Sequence, residues 1–75
     1  MNEKIVEAAA KAMKVSVQVA KENHKLIPEH NLYYFWNPVR GGISVIINDE
    51  CEKLAAVSGV KFEKHLEAFL NGKRN

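Results

Sequence analysis

The first third of the chain combines a lysine-rich side with an apolar side, and this combination restricts the possible folds more than any other feature. On a helix that turns about 100° per residue, the lysines of residues 3–27 fall within an arc of roughly 100°. Apolar residues fill an arc about 200° wide, with small side chains along its middle that favour close packing against another backbone segment. We therefore predict one long helix over residues 3–27. Its lysines are Lys4, Lys11, Lys14, Lys21 and Lys25.

A strand is the competing interpretation for part of this segment, because Val15, Val17 and Val19 alternate with polar residues. The lysine arc passes through them without a change of phase, and the nearby alanines favour a helix, so we prefer the helix. Asn2 suits its N-cap and Pro28 marks its end. Such a helix measures about 37 Å, against a diameter of about 30 Å for a domain of this size. We therefore expect it to overhang, bend or end early.

The middle of the chain is rich in β-branched and aromatic residues and predicts a small antiparallel sheet. Residues 32–36 and 43–47 form two such runs, and the intervening residues 37–42 have strong turn composition. We predict a third strand over residues 53–57, since a two-stranded hairpin is only marginally stable by itself. Leu54-Ala55-Ala56 would suit a helix equally well, so that assignment stays open.

The last part of the chain predicts a second helix, because apolar residues recur at positions 62, 66, 69 and 70. Ser58 suits its N-cap, and Gly72 suits the left-handed conformation at its end. The predicted fold class is α+β, in the order α-β-β-β-α: a long N-terminal helix, a three-stranded antiparallel β-meander and a C-terminal helix. We expect one domain over residues 1–75, with the helices on one face of the sheet.

Charge and cysteine content exclude little but favour one compartment. A formal net charge of +2 neither requires nor excludes nucleic acid as a partner. Cys51 is the only cysteine, which excludes a disulfide within the chain and is consistent with a reducing cytoplasm. The chain opens with charged residues, without the apolar run of a secretory signal, and it contains no run of about 20 apolar residues. We expect a cytoplasmic protein without a membrane partner.

Two groups of residues have the composition of a chemical site. The loop Asn37–Gly42 has adjacent glycines and Arg40, which suit an anion, but its spacing matches neither a P-loop nor a dinucleotide fingerprint. A hairpin loop that needs glycine at positive φ is the preferred interpretation. Cys51 and His65 are a nominal nucleophile and base, but no family signature surrounds them.

The histidines and acidic residues also lack a convincing site pattern. His24 and His30 are six residues apart with Pro28 between them, which is not the spacing of a zinc pair on a helix. Asp49, Glu50 and Glu52 share a turn, where solvated charge is the usual explanation. We therefore predict a non-enzymatic protein with no catalytic residues, no cofactor and no metal.

The strand over residues 32–36 is aromatic on both sides. Leu32, Tyr34 and Trp36 point one way, and Tyr33 and Phe35 point the other way. A sheet covered on one face normally has polar residues on its open face. Two interpretations stay open: the tyrosine hydroxyls reach solvent and the remaining side chains are ordinary core, or one apolar side forms an interface with a second copy or another protein. The predicted contact residues are Tyr33, Phe35, Trp36 and Arg40.

From Tyr33 to its end, the chain also has a recognisable order of short motifs. Phe35-Trp36-Asn37-Pro38 is followed by Arg40-Gly41-Gly42, then by a Val/Ile strand that runs into Asp49, and finally by a helix that ends in Gly72-Lys73-Arg74. This order resembles small bacterial domains of the YrhB-like, toxin-immunity type. The resemblance implies a non-enzymatic, protein-binding bacterial domain of the cytosol, and it carries no functional residues over.

The sequence therefore favours a small protein-interaction module, of immunity or regulatory type, that occludes a partner's surface and is either a homodimer or bound to another protein. The alternative hypothesis is a nucleic-acid-binding module. It would use the lysine face, chiefly Lys11, Lys14, Lys21 and Lys25, together with the aromatic strand. Glutamates interleave with these lysines, which makes nucleic acid the less favoured partner.

Overall fold

Helices flank a single antiparallel sheet in the structure, a computed structural model that describes residues 2–39, 42–57 and 59–75. In this part of the chain the helices are α1 (Glu3–Met13), α2 (Val17–Glu22) and α3 (Phe62–Leu70). The strands are β1 (His24–Ile27), β2 (Leu32–Trp36), β3 (Ile43–Asn48) and β4 (Lys53–Val57). The predicted α+β class is confirmed, with four strands in the described residues rather than three.

The prediction of one helix over residues 3–27 is wrong, because local backbone features end it at Met13. Lys14 adopts the left-handed conformation, with φ 60° and ψ 43°. The chain then restarts a helix at Ser16, whose Oγ accepts a hydrogen bond from the Val19 N–H at 3.2 Å. α1 is consequently about 16 Å long, which fits within the 29 × 27 × 20 Å extents of the fold.

The end of the predicted helix is instead a strand. β1 pairs antiparallel with β2, so that His24 lies opposite Phe35 and Ile27 lies opposite Leu32. Pro28 begins a single 3₁₀ turn, Pro28–His30, that reverses the chain into β2. The lysine face that defined the predicted helix is therefore divided between two helices and a strand.

The predicted strands of the meander are confirmed. The sheet order is β1-β2-β3-β4, and every neighbouring pair is antiparallel. Strand β2 has the predicted limits, β3 extends one residue further to Asn48, and residues 53–57 form a strand rather than a helix. The hairpin between β2 and β3 is closed by a hydrogen bond from the Asn37 N–H to the Ile43 carbonyl at 3.1 Å.

The helices lie on opposite faces of the sheet, which corrects the expectation that they share one. One core cluster joins α1 and α2 to Phe35, Val45 and Ile47, and the other joins α3 to Leu32 and Ile46. Because neighbouring residues of a strand point to opposite faces, these two sets alternate along β2 and β3. The aromatic residues on both sides of β2 are thus explained by a sheet that is covered twice.

The ends of α3 were predicted with mixed success. Gly72 has φ 95°, and this confirms the left-handed position at the end of the helix. The helix begins at Phe62, with Lys61 at its N-cap position and no side-chain hydrogen bond there. The predicted N-cap, Ser58, lies outside the described residues.

The two edges of the sheet differ in their backbone pairing. At the β4 edge, Asn75 Oδ1 accepts from the Ala55 N–H at 2.8 Å, and Asn75 Nδ2 donates to the Ala55 carbonyl at 3.0 Å. The Asn75 N–H also donates to the Lys53 carbonyl at 3.0 Å. At the β1 edge, no strand of the described residues pairs with the side of β1 that faces away from β2.

Candidate protein-binding groove

A concave surface of about 400 Å³ lies on the α3 face of the sheet, at the end where β2 and β3 form their hairpin. Aromatic rings, a lysine, a serine and the base of the hairpin loop line it, which is the mixture of apolar walls and few polar groups typical of a binding site. We call it the hairpin groove. Its lining residues are Lys25, Tyr34, Trp36, Asn37, Gly42, Ile43 and Ser44.

Two half-buried aromatic rings of β2 form the apolar wall of the hairpin groove. Tyr34 and Trp36 are two residues apart on one strand and therefore share a face, with ring centroids 5.8 Å apart and ring planes inclined by 30°. Tyr34 also meets the ring of Phe62 edge to face, at 4.9 Å between centroids and 80°. The first turn of α3 thereby holds Tyr34 in place beside Trp36.

A positive charge lies next to this wall. Lys25 is opposite Tyr34 in the β1–β2 pairing, so both side chains emerge on the α3 face. The Lys25 Nζ lies 4.0 Å from the centroid of the Phe62 ring and 5.6 Å from that of Tyr34. Such contacts between an ammonium group and aromatic rings restrict where the charge lies without neutralising it.

A buried polar pair lies behind the groove and joins the sheet to α3. The His65 Nε2 is 2.6 Å from the Leu54 carbonyl, which only accepts, so we assign the ring proton to Nε2. Nδ1 is then the acceptor for the Ser44 hydroxyl at 3.3 Å. His65 is 1% exposed and Ser44 is 5% exposed, so the pair is nearly closed to solvent.

This pairing argues for a structural role of His65. Both of its ring nitrogens already have partners in the fold, and its second partner is a backbone carbonyl rather than the carboxylate that orients a catalytic histidine. Cys51, the nominal nucleophile, is exposed in the turn between β3 and β4. The structure therefore does not bring Cys51 and His65 together as a nucleophile and base.

The hairpin loop is held against the groove by a close backbone approach. The Asn37 Oδ1 accepts from the Val39 N–H at 3.0 Å, and the Gly42 N–H donates to the Val39 carbonyl at 3.0 Å. A Cβ atom on Gly42 would lie 2.6 Å from the Asn37 Cβ and 2.9 Å from the Val39 carbonyl oxygen. Gly42 is therefore required because space is lacking, and its φ is not positive. Gly41, the other glycine for which the loop predicts a positive φ, lies outside the described residues.

The structure separates the four predicted contact residues. Trp36 lines the groove, whereas Tyr33 and Phe35 point to the opposite face. Phe35 is 0% exposed and belongs to the core under α1, so its assignment as a contact residue is wrong. Tyr33 is half-buried at the other end of the sheet. Arg40 lies outside the described residues, so its role as a contact stays a prediction.

Tyr33 instead anchors the turn between β3 and β4. Its hydroxyl donates a hydrogen bond to the Asp49 Oδ1 at 2.8 Å. This bond raises the pKa of Tyr33 above its usual value, and slight burial and the negative charge of Asp49 raise it further. Tyr33 also borders a smaller surface depression of about 200 Å³, at the opposite end of the sheet from the hairpin loop.

Sequence reasoning missed most of the groove. The sequence predicts Lys25 on a helix and Ser44 and Tyr34 on strands, with no indication that the three side chains meet. One local signal was present, because Pro28 disfavours the helical conformation of the preceding Ile27 and favours an extended one. The Ser44–His65 contact joins residues 21 apart in the chain, and no local pattern indicates it.

Comparison with protein-family descriptions, with characterised proteins and with solved structures gave no match to this chain. Across the described ranges, no helix has the length and apolar character needed to cross a membrane. In the same residues, no three His, Cys, Asp or Glu side chains converge in a way that would hold a metal ion. The function must therefore be argued from the groove itself.

Proposed function

We propose that this chain is a small non-enzymatic protein-interaction module of immunity or regulatory type that acts in the bacterial cytosol. In this proposal the hairpin groove receives part of a partner protein, and the hairpin covers the partner's surface around it. The observation that carries the proposal is the pair of rings, Tyr34 and Trp36, held side by side in a concave surface of about 400 Å³.

The energetic argument rests on the nature of these rings. Tyrosine and tryptophan carry much of the binding free energy in protein interfaces, because they bury a large area at little cost in conformational entropy. Packing against Phe62 further restricts Tyr34 before any partner arrives. Val39 in the adjacent loop is 67% exposed, so the hairpin also offers apolar area beside the groove.

Nucleic acid is the second candidate, favoured by the same rings and by Lys25 beside them. The remaining lysines of that hypothesis weaken it, because α1 and α2 carry them on the other face of the sheet from Tyr34 and Trp36. Salt distinguishes the two candidates. Binding to single-stranded nucleic acid should fall by about 0.7 log units per neutralised phosphate for each log unit of salt, whereas an apolar interface should respond little.

A capture experiment with matched variants tests the proposal. The tagged chain, its Trp36→Ala variant and its Lys11→Ala variant are each exposed to a lysate of the cells that produce the protein, and the bound proteins are quantified. Lys11 is exposed on α1 and serves as the control. We expect one protein to be retained by the wild type and the control and reduced at least tenfold by Trp36→Ala, since a central tryptophan typically contributes about 2 kcal/mol or more.

The proposal is wrong if every retained protein binds all three chains equally. Far-ultraviolet circular dichroism of each variant verifies that loss of binding does not reflect loss of the fold. Arg40→Ala tests the remaining predicted contact in the same assay, and a reduction there would place Arg40 at the rim of the interface.

A further inference from the structure

Lys25 is a cation that lies against two aromatic rings and has no ion-pair partner among the described residues. The one ion pair among the described residues joins Lys21 Nζ to Glu3 Oε1 at 2.9 Å, on the α1–α2 side of the sheet. Lys25 Nζ instead lies against the rings of Phe62 and Tyr34, at the wall of the hairpin groove. An ammonium group held in this way is pre-organised to pair with a carboxylate from outside.

The groove also has the donors and the apolar area to accept more than a single charge. Trp36 and Tyr34 provide apolar contact beside Lys25, and Asn37 lies at the same rim. We propose that the hairpin groove recognises an acidic segment of a partner protein, in which an apolar side chain lies on the two rings and a neighbouring carboxylate pairs with Lys25. This inference rests on the proposed function and names the chemistry of the partner.

The acidic turns of a second copy fit this groove less well than a foreign acidic segment. The loops at the Trp36 end of β2 form the groove, whereas the acidic turns lie at the Leu32 end of the same strand. A copy that offered an acidic turn to the groove would therefore bind head to tail, an arrangement that builds rings or filaments rather than a two-fold dimer. The acidic residues of those turns are Glu29, Asp49, Glu50 and Glu52.

Two synthetic peptides test this chemistry directly. The probe is acetyl-Leu-Asp-Phe-Asp-Leu-amide, and its matched control replaces both aspartates with asparagine. Trp36 is the only tryptophan and lines the groove, so its fluorescence reports binding, and nitrogen-15 NMR shifts locate the bound peptide. We expect the acidic peptide to bind about fivefold more tightly than the control at low salt. The ratio should approach one when salt rises from about 50 to about 500 mM.

Three substitutions assign the effect to Lys25. Lys25→Gln should abolish the preference for the acidic peptide, and Lys25→Arg should retain it because the charge is kept. Lys11→Gln removes a lysine from the other face and should leave the preference unchanged. The inference is overturned if both peptides bind the wild type equally, if Lys25→Gln leaves the preference intact, or if the shifted NMR signals lie away from the groove.

The natural partner from the capture experiment separates this inference from the proposed function. If Trp36→Ala loses the partner and Lys25→Gln keeps it with unchanged affinity, the groove is the interface but its acidic specificity is wrong. If neither substitution affects the partner, the proposed function is itself wrong. Light scattering that shows open-ended growth of the pure protein would favour the head-to-tail second copy and overturn the foreign acidic segment.

Discussion

The buried pair of Ser44 and His65 should contribute measurably to stability, and a double-mutant cycle can isolate its contribution. Ser44→Ala removes the hydroxyl that donates to His65 Nδ1 and leaves that nitrogen buried without a donor. An orphaned buried acceptor costs about 1–3 kcal/mol. For a domain of this length, a loss of about 2 kcal/mol lowers the melting temperature by about 8–16 °C.

Substitution of the partner residue should also lower the free energy of unfolding, because it leaves the Ser44 hydroxyl unpaired. His65→Leu leaves the Ser44 hydroxyl without its acceptor in a site that is 5% exposed, and it also removes the donor to the Leu54 carbonyl. In the double variant, Ala and Leu face each other and neither the hydroxyl nor the imidazole is left unpaired. We therefore expect the double variant to be more stable than the sum of the single costs implies, by about 1–2 kcal/mol.

Urea unfolding at about 25 °C, followed by Trp36 fluorescence and by circular dichroism, measures these free energies. Equal slopes of free energy against urea for all four proteins would show that the comparison is made between similar folded and unfolded states. Strictly additive single costs would refute the reasoning, because they would mean that the hydroxyl and the imidazole do not interact. A cost below about 0.5 kcal/mol for Ser44→Ala would refute it as well, since surface substitutions reach that value without any buried partner.

Four further substitutions test other parts of the structure. Lys14→Gly should raise the free energy of unfolding by about 1 kcal/mol, because glycine adopts the left-handed conformation of residue 14 without steric strain. Lys11→Gly within α1 should lower it by a similar amount, because glycine disfavours a helix interior. Urea unfolding measures both changes. Gly42→Ala should lower it by about 1–3 kcal/mol and shift the NMR signals of the groove, because the new methyl group collides with the Asn37 side chain. The raised pKa of Tyr33 should stabilise the folded state fully below about pH 10 and progressively less as pH rises through the folded-state pKa. The stability advantage of the wild type over Tyr33→Phe should therefore shrink only in alkaline urea titrations, and an advantage that shrinks between pH 7 and 9 would contradict the assignment.

The sequence predicted the sheet better than the helices. Strands β2 and β4 had the correct limits. The aromatic composition of β2 indicates a strand directly, whereas β4 has weak strand composition and was located by the turn residues before it and by Ser58-Gly59 after it. The prediction of one helix over residues 3–27 was wrong because the periodicity of apolar and lysine residues does not reveal the break between α1 and α2. A second helix that starts in a similar phase continues the same pattern. Ser16 was the available signal, as a good N-cap followed by β-branched valines that resist the middle of a helix.

The groove could be predicted only in part, and for a physical reason. Trp36 was predicted as a contact because tyrosine and tryptophan commonly carry interface contacts; it lines the groove, and its role as a contact stays a prediction. Lys25 and Ser44 reach the groove through strand pairing and Phe62 reaches Tyr34 through helix packing, and both depend on contacts between residues far apart in the chain. The incorrect choice of Phe35 followed from the assumption that one face of the sheet is open.

The unequal edges of the sheet limit how this protein can associate through its backbone. Asn75 bonds both backbone groups of Ala55 and the Lys53 carbonyl on the outer side of β4, so β1 offers the less occupied edge to an incoming extended chain. If two copies paired through their β1 edges, the two sheets would join and the assembly would stop there. Both β1 edges would then be used, and Asn75 covers part of each β4 edge. Loss of the Asn75 amide would expose the β4 edge as well. Copies could then pair through both edges and form a repeating assembly instead of a pair.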